Sequence, residues 1–422
     1  MQFFLELLPV IVIIFTALIL KRIHGTWLAP SSFFSLFWGV FTCAPLIFAK
    51  EFNFYPLGLW IITSVVLAIG LGSLLAKNDV NDFMSNKYKY DEYNYNFDRV
   101  LLTSMIIFSL IACLGVLQLF QFGMDRFELN LSLSNLLLLA NNFSVDRYNE
   151  ILSFPWRVKG LLYFLFPAAL VGGIYFGKTT GKYSLVAVLP LIIAILKGTI
   201  DTTRFTFILA IVLWLSGYFG ARVLFHKKLQ NLFDKKTTLI MLTAGSIFLL
   251  IFIGFQWLRQ MGGILLADLM IDRMKVYFFG YLSAFSNWSA NYELDKITFG
   301  ASTFAGPANL LGLLQRESGF YDFIPLMNLQ YTNIFTAFRG IFQDFTLVGG
   351  LILLTCVGFW VTIAFNRVFS GNKLFLFPLT IFYAFTMYSP IISIFLYNSI
   401  IMAWIITFGI IILFVREKAE SP

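Results

Sequence analysis

The stretch TNIFTAFRGIFQDFTLVGG, residues 332–350, leads into an apolar run and carries charged side chains where that run begins. Since about 20 apolar residues cross a bilayer, the run at 343–365 predicts a transmembrane helix. An ionisable residue at membrane depth is costly and by default marks a functional site. Arg339 and Asp344 are therefore the first candidates for chemistry in this chain.

The composition of the whole chain is that of a membrane protein. Of its 422 residues, 59% are hydrophobic and 12% are charged, whereas soluble proteins average about 25% charged residues. The net charge of +8 does not indicate a nucleic-acid partner, because the basic residues are scattered between apolar runs. The three cysteines lie inside apolar runs without metal-ligand spacing, so we expect no metal site.

The apolar runs predict an all-α polytopic membrane protein with about eleven (10–13) transmembrane helices in one transmembrane domain, 1–422. The first run lacks a basic start and a cleavage site, so we expect a retained helix rather than a signal peptide. The runs cover about residues 3–20, 31–49, 57–76, 100–120, 158–177, 183–199, 204–221, 238–257, 343–365, 374–394 and 396–415.

The distribution of Lys and Arg predicts the orientation. The short, basic loops at 222–237 and 366–373 fall on the same side of the predicted spans, which we assign to the cytoplasm. The N-terminus is then periplasmic and the C-terminus cytoplasmic. Two long segments, 121–157 and 258–342, become structured outer (periplasmic) loops, and each contains an apolar stretch that predicts a helix at the membrane surface.

Several common catalytic motifs are missing from the sequence. It has no phosphate-binding GxxxxGK[ST] motif, no dinucleotide-binding GxGxxG after a strand and no HExxH zinc motif. Its two histidines, His24 and His226, fall on predicted inside loops. If the orientation holds, histidine bases and zinc sites are excluded from the outer side, and arginines and carboxylates remain there.

Two charged clusters stand out on the predicted outer side. In KGTIDTTRFTF, residues 197–207, Asp201 and Arg204 share a face if the segment is helical, so Asp201 would orient an anion-binding Arg204. The alternative is an interfacial salt bridge that anchors the helix end. In the opening stretch, Arg339 lies on one helical stripe with Thr336, whereas Asp344 lies off it; here the alternative is a salt bridge between helices.

Further arginines strengthen the case for an anion site. Arg147 lies in the first outer loop, and Arg259 and Arg273 lie in the second. Arginine suits phosphate and diphosphate because its planar guanidinium donates two parallel hydrogen bonds and keeps its charge. Taken singly, each of these arginines is also compatible with a solvated loop residue. Together with aromatic side chains, they fit a lipid-linked sugar.

Three segments resemble the Wzy-type polysaccharide polymerases, which include O-antigen polymerases and related oligosaccharide repeat unit polymerases. YTNIFTAFRGIFQDFTLVGG (331–350) is similar to a late T-N-[VI]-[YF]-T-x-[FY] … D-F-G-x-x-G pattern, with Thr346 where the pattern has its first Gly. KGTIDTTRFTFILAI (197–211) is similar to the polar start of a middle span. VYFFGYLSAFSNW (276–288) is similar to a segment of the large outer loop.

The resemblance implies a GT-C-like bundle and an inner-membrane glycosyltransferase that joins undecaprenyl-diphosphate-linked oligosaccharides without metal or cofactor. Fixed cations stabilise a leaving diphosphate and a carboxylate can accept the hydroxyl proton, so we expect Arg204, Arg339, Asp344 and Asp201 to be catalytic. The residues expected to bind substrate are Arg147, Arg259, Arg273, Tyr331, Asn333 and Thr336. The expected partners are the lipid-linked oligosaccharide and membrane lipid, and whether a chain-length regulator also binds is left open.

Three other functions remain open at this point. A flippase for the same lipid-linked units is the main alternative, although the two halves of the chain do not resemble each other. Another membrane glycosyltransferase, such as an O-antigen ligase, is a second. A purely structural scaffold is a third, and it leaves the outer arginines unexplained.

Overall fold

The computed structural model describes residues 2–76, 95–149, 152–178, 182–225, 242, 245–246, 249–254, 267–292, 297–314, 321–326 and 330–420. In these residues the chain is helical, with one two-stranded antiparallel sheet. The helices are α1 (Gln2–His24), α2 (Pro30–Phe48), α3 (Pro56–Leu75), α4 (Tyr95–Arg126), α5 (Leu133–Tyr148), α6 (Trp156–Tyr163), α7 (Leu165–Lys178), α8 (Leu189–Asp201), α9 (Arg204–Phe225), α10 (Ala267–Ala290), α11 (Ala305–Leu310), α12 (Ala337–Phe369), α13 (Leu376–Tyr388) and α14 (Asn398–Glu420). The strands are β1 (Ile324–Pro325) and β2 (Tyr331–Thr332).

The prediction of an all-α polytopic membrane protein is confirmed. Seven helical segments in the described residues are long and apolar enough to cross a membrane, namely α1, α2, α3, α4, α6 together with α7, α9 and α12. Proline occupies the first turn of α2 and of α3, where the backbone N–H that it lacks would have no partner within the helix. Basic residues lie in the last turn of α1, where their positive charge interacts favourably with the negative end of the helix dipole.

The predicted count of eleven spans is not reached in the described part of the chain. The run at 183–199 forms α8, which has 13 residues because a 3-10 turn precedes it and a left-handed Thr202 ends it. The helix α13 also has 13 residues, and Pro390 follows closely after its end. In α14 the apolar part is Asn398–Leu413. The run at 238–257 lies largely outside the described residues.

The chain divides into two compact units. The first contains Met1–Lys89, His226–Leu229 and Asp268–Asn398, and the second contains Tyr90–Phe225, Gln230–Ala267 and Ser399–Pro422. The first unit therefore holds α12 and its charged start, whereas the second holds the end of α8 and the start of α9. The two charged clusters of the sequence belong to different units.

Glycines let the helices of the first unit approach closely. A Cβ atom on Gly72 of α3 would lie 1.9 Å from the carbonyl oxygen of Thr355 on α12, and one on Gly358 would lie 2.3 Å from the carbonyl oxygen of Ile69. Small residues at such crossings allow backbone to pack on backbone in membrane bundles. This contact fixes the long part of α12 against α3.

An aromatic core supports the start of α12. Phe338 is fully buried, and its ring centroid lies 4.8 Å from that of Trp38 on α2 and 6.3 Å from that of Phe285 on α10. Aromatic pairs at these separations add stabilisation beyond the area that they bury. The residue next to Phe338 is Arg339, so the core holds the backbone from which the charged side chain projects.

The second unit uses the same kind of close helix crossing. A Cβ on Gly173 of α7 would lie 1.8 Å from the carbonyl oxygen of Trp214 on α9, and one on Gly217 would lie 2.4 Å from that of Leu170. The first outer segment forms α5, whose N-cap Ser132 accepts a hydrogen bond from Asn135 N at 3.2 Å. The predicted helix in that segment is therefore present.

Candidate functional site

The helix α12 is broken inside its own length. Thr346 has φ 64° and ψ 173°, far from helical values, so α12 consists of a short first part that ends at Phe345 and a long second part that begins at Leu347. A break leaves carbonyl groups without helical partners. The preceding loop bonds three of them: Tyr292 Oη to Phe342 O at 3.1 Å, Thr298 N to Gln343 O at 3.4 Å and Phe299 N to Asp344 O at 3.3 Å.

The length of the second part sets the level of the break. From Leu347 to Phe369 this part alone exceeds the roughly 20 residues that cross the hydrocarbon core. The short first part, which carries Arg339 and Asp344, therefore fits at one membrane surface rather than in the hydrocarbon. This accounts for two charged residues at the start of a membrane helix without the cost of burying them in lipid.

Aromatic rings surround the guanidinium of Arg339. Its Cζ lies 4.0 Å from the ring centroid of Tyr321, 4.1 Å from that of Phe335 and 5.6 Å from that of Trp288. The rings of Tyr321 and Phe335 are 5.3 Å apart and meet at 70°. Burial raises the pKa of the Tyr321 hydroxyl well above its ordinary value, so this ring stays neutral.

Arg339 forms none of the ion pairs found among the described residues, although the nearby charge of Asp322 favours its charged form. Its Nε is buried without a hydrogen-bond partner. Rings cover the faces of a guanidinium but leave its N–H edges for an acceptor. The arrangement therefore fits a cation that is held in place and awaits an anion from outside the described residues.

Asp344 faces a different neighbourhood from Arg339, as its position off the helical stripe predicts. It is fully buried and accepts hydrogen bonds from Ser302 N at 2.9 Å, from Thr303 N at 2.7 Å and from Thr298 Oγ1. A carboxylate that accepts backbone N–H groups holds a loop in place. To take a proton from a substrate hydroxyl, Asp344 would have to exchange one of these bonds for the substrate.

The other predicted residues of this unit differ in how far they are buried. Thr336 is the N-cap residue of α12 and is fully buried, and its hydroxyl has no hydrogen-bond partner in the described part of the chain. Tyr331 is 52% exposed on β2, and Asn333 is half-buried. Arg273 is exposed on α10.

In the second unit, Asp201 pairs with a lysine. Lys197 Nζ lies 2.7 Å from Asp201 Oδ2 and also donates to Thr203 Oγ1 at 2.9 Å and Thr206 Oγ1 at 2.8 Å. Asp201 Oδ1 accepts from the backbone N–H of Thr203 at 3.1 Å. All three donors of the ammonium group are used, so this buried network is satisfied internally.

The expected common helical face of Asp201 and Arg204 does not form. Thr202 adopts a left-handed conformation (φ 53°) and separates α8 from α9, so the two residues belong to different helices. Arg204 is 6% exposed, and its Cζ lies 4.3 Å from the ring centroid of Phe252. Arg147 at the end of α5 donates a hydrogen bond to the carbonyl oxygen of Asp201. The structure thus brings Arg147 and Asp201 together.

Lys197, Trp288 and Tyr321 were not predicted as site residues from the sequence. Lys197 stands four residues before Asp201, which is the helical spacing of an ion pair, and this signal was available in the sequence. The rings of Trp288 and Tyr321 are far from Arg339 along the chain, and only the fold brings them to it. Arg259 lies outside the described residues.

Compared with known proteins, the chain matches no family model, no curated protein and no solved structure.

Proposed function

We propose that this protein is a membrane glycosyltransferase that polymerises undecaprenyl-diphosphate-linked oligosaccharide repeat units into O-antigen or a related surface polysaccharide. It acts on the outer face of the bacterial inner membrane, with a periplasmic N-terminus and a cytoplasmic C-terminus. The observation that carries the proposal is the guanidinium of Arg339, held between aromatic rings at the start of a membrane helix and in no ion pair with a described carboxylate.

Transfer from a lipid diphosphate is favoured by a fixed cation beside the leaving group. A hydroxyl oxygen of the incoming unit attacks the anomeric carbon of the growing chain, and the bond from that carbon to the diphosphate oxygen breaks. The diphosphate leaves with the electron pair, and the hydroxyl proton passes to a base or to water. A fixed guanidinium stabilises the charge that develops on the diphosphate, an effect often worth several kcal/mol.

The backbone at Thr346 adds support for the resemblance. The polymerase pattern has glycine at this position, and Thr346 adopts a conformation that glycine accepts far more readily than threonine. Although this chain has threonine in place of the glycine, its backbone at residue 346 has the kind of conformation that a glycine would favour. Diphosphate binding by Arg204 and proton transfer to Asp201 remain predictions for the second unit, where the Asp201 carboxylate already accepts hydrogen bonds from Lys197 and Thr203.

A flippase for the same lipid-linked units is the competing function. Broken helices are common in transporters, where the break lies near the bilayer midplane. The length of α12 after Thr346 argues for a break near one membrane surface instead, which favours chemistry at that surface.

The proposal is tested with purified protein and lipid-linked repeat units in detergent. We expect a ladder of chain lengths from the wild type and none from Arg339→Ala. Arg126→Ala is the matched control, since it removes the same charge from an arginine that Asp146 already neutralises at 2.7 Å, and it should still form a ladder. Transport of the units across vesicles with no ladder from the wild type would establish the flippase instead.

A further inference from the structure

A segment of the second outer loop exposes large apolar side chains. Residues 297–314 contain no Asp, Glu, Lys or Arg. Four of their side chains are largely exposed: Phe299 (82%), Leu310 (74%), Leu311 (74%) and Leu313 (71%). Such a concentration of exposed apolar groups in a short, uncharged segment marks a contact with a protein or a membrane.

The backbone of Phe299 shows that this exposure is built in at a cost. Phe299 has φ 47°, a left-handed value that a bulky side chain rarely adopts. The next residue, Gly300, also has a positive φ of 95°. The turn thus holds an aromatic ring away from the protein core. In a loop surrounded by water, a polar side chain or an unstrained backbone would be more favourable.

The segment is fastened to a membrane-spanning helix. Phe299 N donates to Asp344 O at 3.3 Å, and the Asp344 carboxylate holds Ser302 and Thr303. Directly after the break, Val348 is 68% exposed on the part of α12 that crosses the bilayer. The exposed ring of Phe299 therefore lies beside the point of α12 at which the exposed side of that span begins.

We propose that the apolar segment, residues 299–313, lies in the interfacial region of the bilayer and contacts lipid directly. The bilayer is the occupant that these observations favour, because the segment is uncharged and is fastened to a membrane-spanning helix. Apolar side chains that enter the headgroup and acyl boundary anchor such elements to the membrane.

This contact has a consequence for access to Arg339. A Cβ on Gly340 would lie 3.5 Å from the carbonyl oxygen of Ser302, so the segment packs against the residue that follows Arg339. An amphiphile with an apolar tail and an anionic head reaches Arg339 sideways from the membrane, past this segment. This consequence rests on the proposed function, whereas the lipid contact does not.

Spin labelling tests the lipid contact without any measurement of activity. In a variant in which serine replaces the three free cysteines, single nitroxides are attached at Leu311→Cys and, as a second site, at Phe299→Cys. Ile352→Cys on the exposed side of α12 is the lipid reference, and Glu128→Cys, at an exposed charged position, is the water reference. The protein is reconstituted in phosphatidylethanolamine and phosphatidylglycerol vesicles.

Collision rates with oxygen, which concentrates in lipid, and with a water-soluble nickel chelate separate the outcomes. We expect the oxygen-to-nickel ratio at both loop sites to exceed that at Glu128 several-fold and to approach that at Ile352. A ratio equal to that at Glu128 would overturn the proposal. Low collision with both reagents, together with broadening between labels, would overturn it in favour of a second copy of the chain. Neither result would bear on ladder formation, which tests the proposed function separately.

Discussion

Replacing Thr346 with glycine is expected to stabilise the protein. At φ 64° and ψ 173° a non-glycine residue lies in a region reserved almost entirely for glycine, at a cost of about 1–3 kcal/mol. The Cβ of threonine causes this strain, and its β-branch adds to it. Removing the side chain therefore relieves strain at the break while leaving the flanking helices unchanged.

Two smaller effects oppose this gain. Thr346 Oγ1 accepts a hydrogen bond from Gly349 N at 3.3 Å, and replacing a threonine N-cap with glycine costs only a few tenths of a kcal/mol. Glycine also gains conformational freedom in the unfolded chain, which costs about 0.5–1 kcal/mol. With the strain taken at the middle of its range, Thr346→Gly gains about 1 kcal/mol.

The free energy of unfolding is measured by titration with sodium dodecyl sulfate in mixed micelles, followed by far-ultraviolet circular dichroism. Thr346→Ala keeps the Cβ and loses the cap, so it should destabilise by about 1 kcal/mol. Thr355→Gly, in the regular part of the same helix, is the matched control and should also destabilise. If Thr346→Gly destabilises as much as Thr355→Gly, residue 346 has an ordinary helical backbone and the break in α12 is refuted.

Three further predictions concern the site and the packing. Arg339→Lys should lose most ladder formation at normal expression levels, because lysine cannot reproduce the paired N–H edge; wild-type ladders would mean that charge alone suffices. Lys197→Met leaves Asp201 buried with one partner lost and should destabilise by about 3–5 kcal/mol in the same titration, whereas adding Asp201→Asn should recover part of the loss. Gly173→Ala forces a Cβ to within 1.8 Å of a backbone oxygen on α9 and should abolish folded protein in size-exclusion chromatography, whereas Gly160→Ala, with open space around it, should not.

The spans could be predicted from the sequence because hydrophobic length is a local property. Seven of the predicted runs correspond to helices that can cross a membrane. Shorter elements were harder to predict. The run at 183–199 gave only α8, since a left-handed Thr202 ended the helix, and two consecutive threonines carry only a weak breaking signal. The same break invalidated the shared face of Asp201 and Arg204.

The surroundings of Arg339 could not be read from the sequence. Tyr321 lies before strand β1 and Trp288 lies on α10. Their position around Arg339 therefore depends on tertiary packing and not on spacing along the chain. Residue type alone did not predict the break at Thr346, because threonine is a tolerable helix residue, and the bonds that compensate the break come from Tyr292, Thr298 and Phe299. Patterns along the chain identified the charged residue, and packing determines what it faces.

In the proposed function, Arg339 binds the diphosphate of a lipid carrier. The most direct test of this binding is the dissociation constant of farnesyl diphosphate, measured by isothermal titration calorimetry for the wild type and for Arg339→Ala in the same detergent. A hydrogen bond to a charged group contributes about 1.5–3 kcal/mol, so we expect the dissociation constant to rise roughly ten-fold or more. Equal affinity in the two proteins would contradict the account.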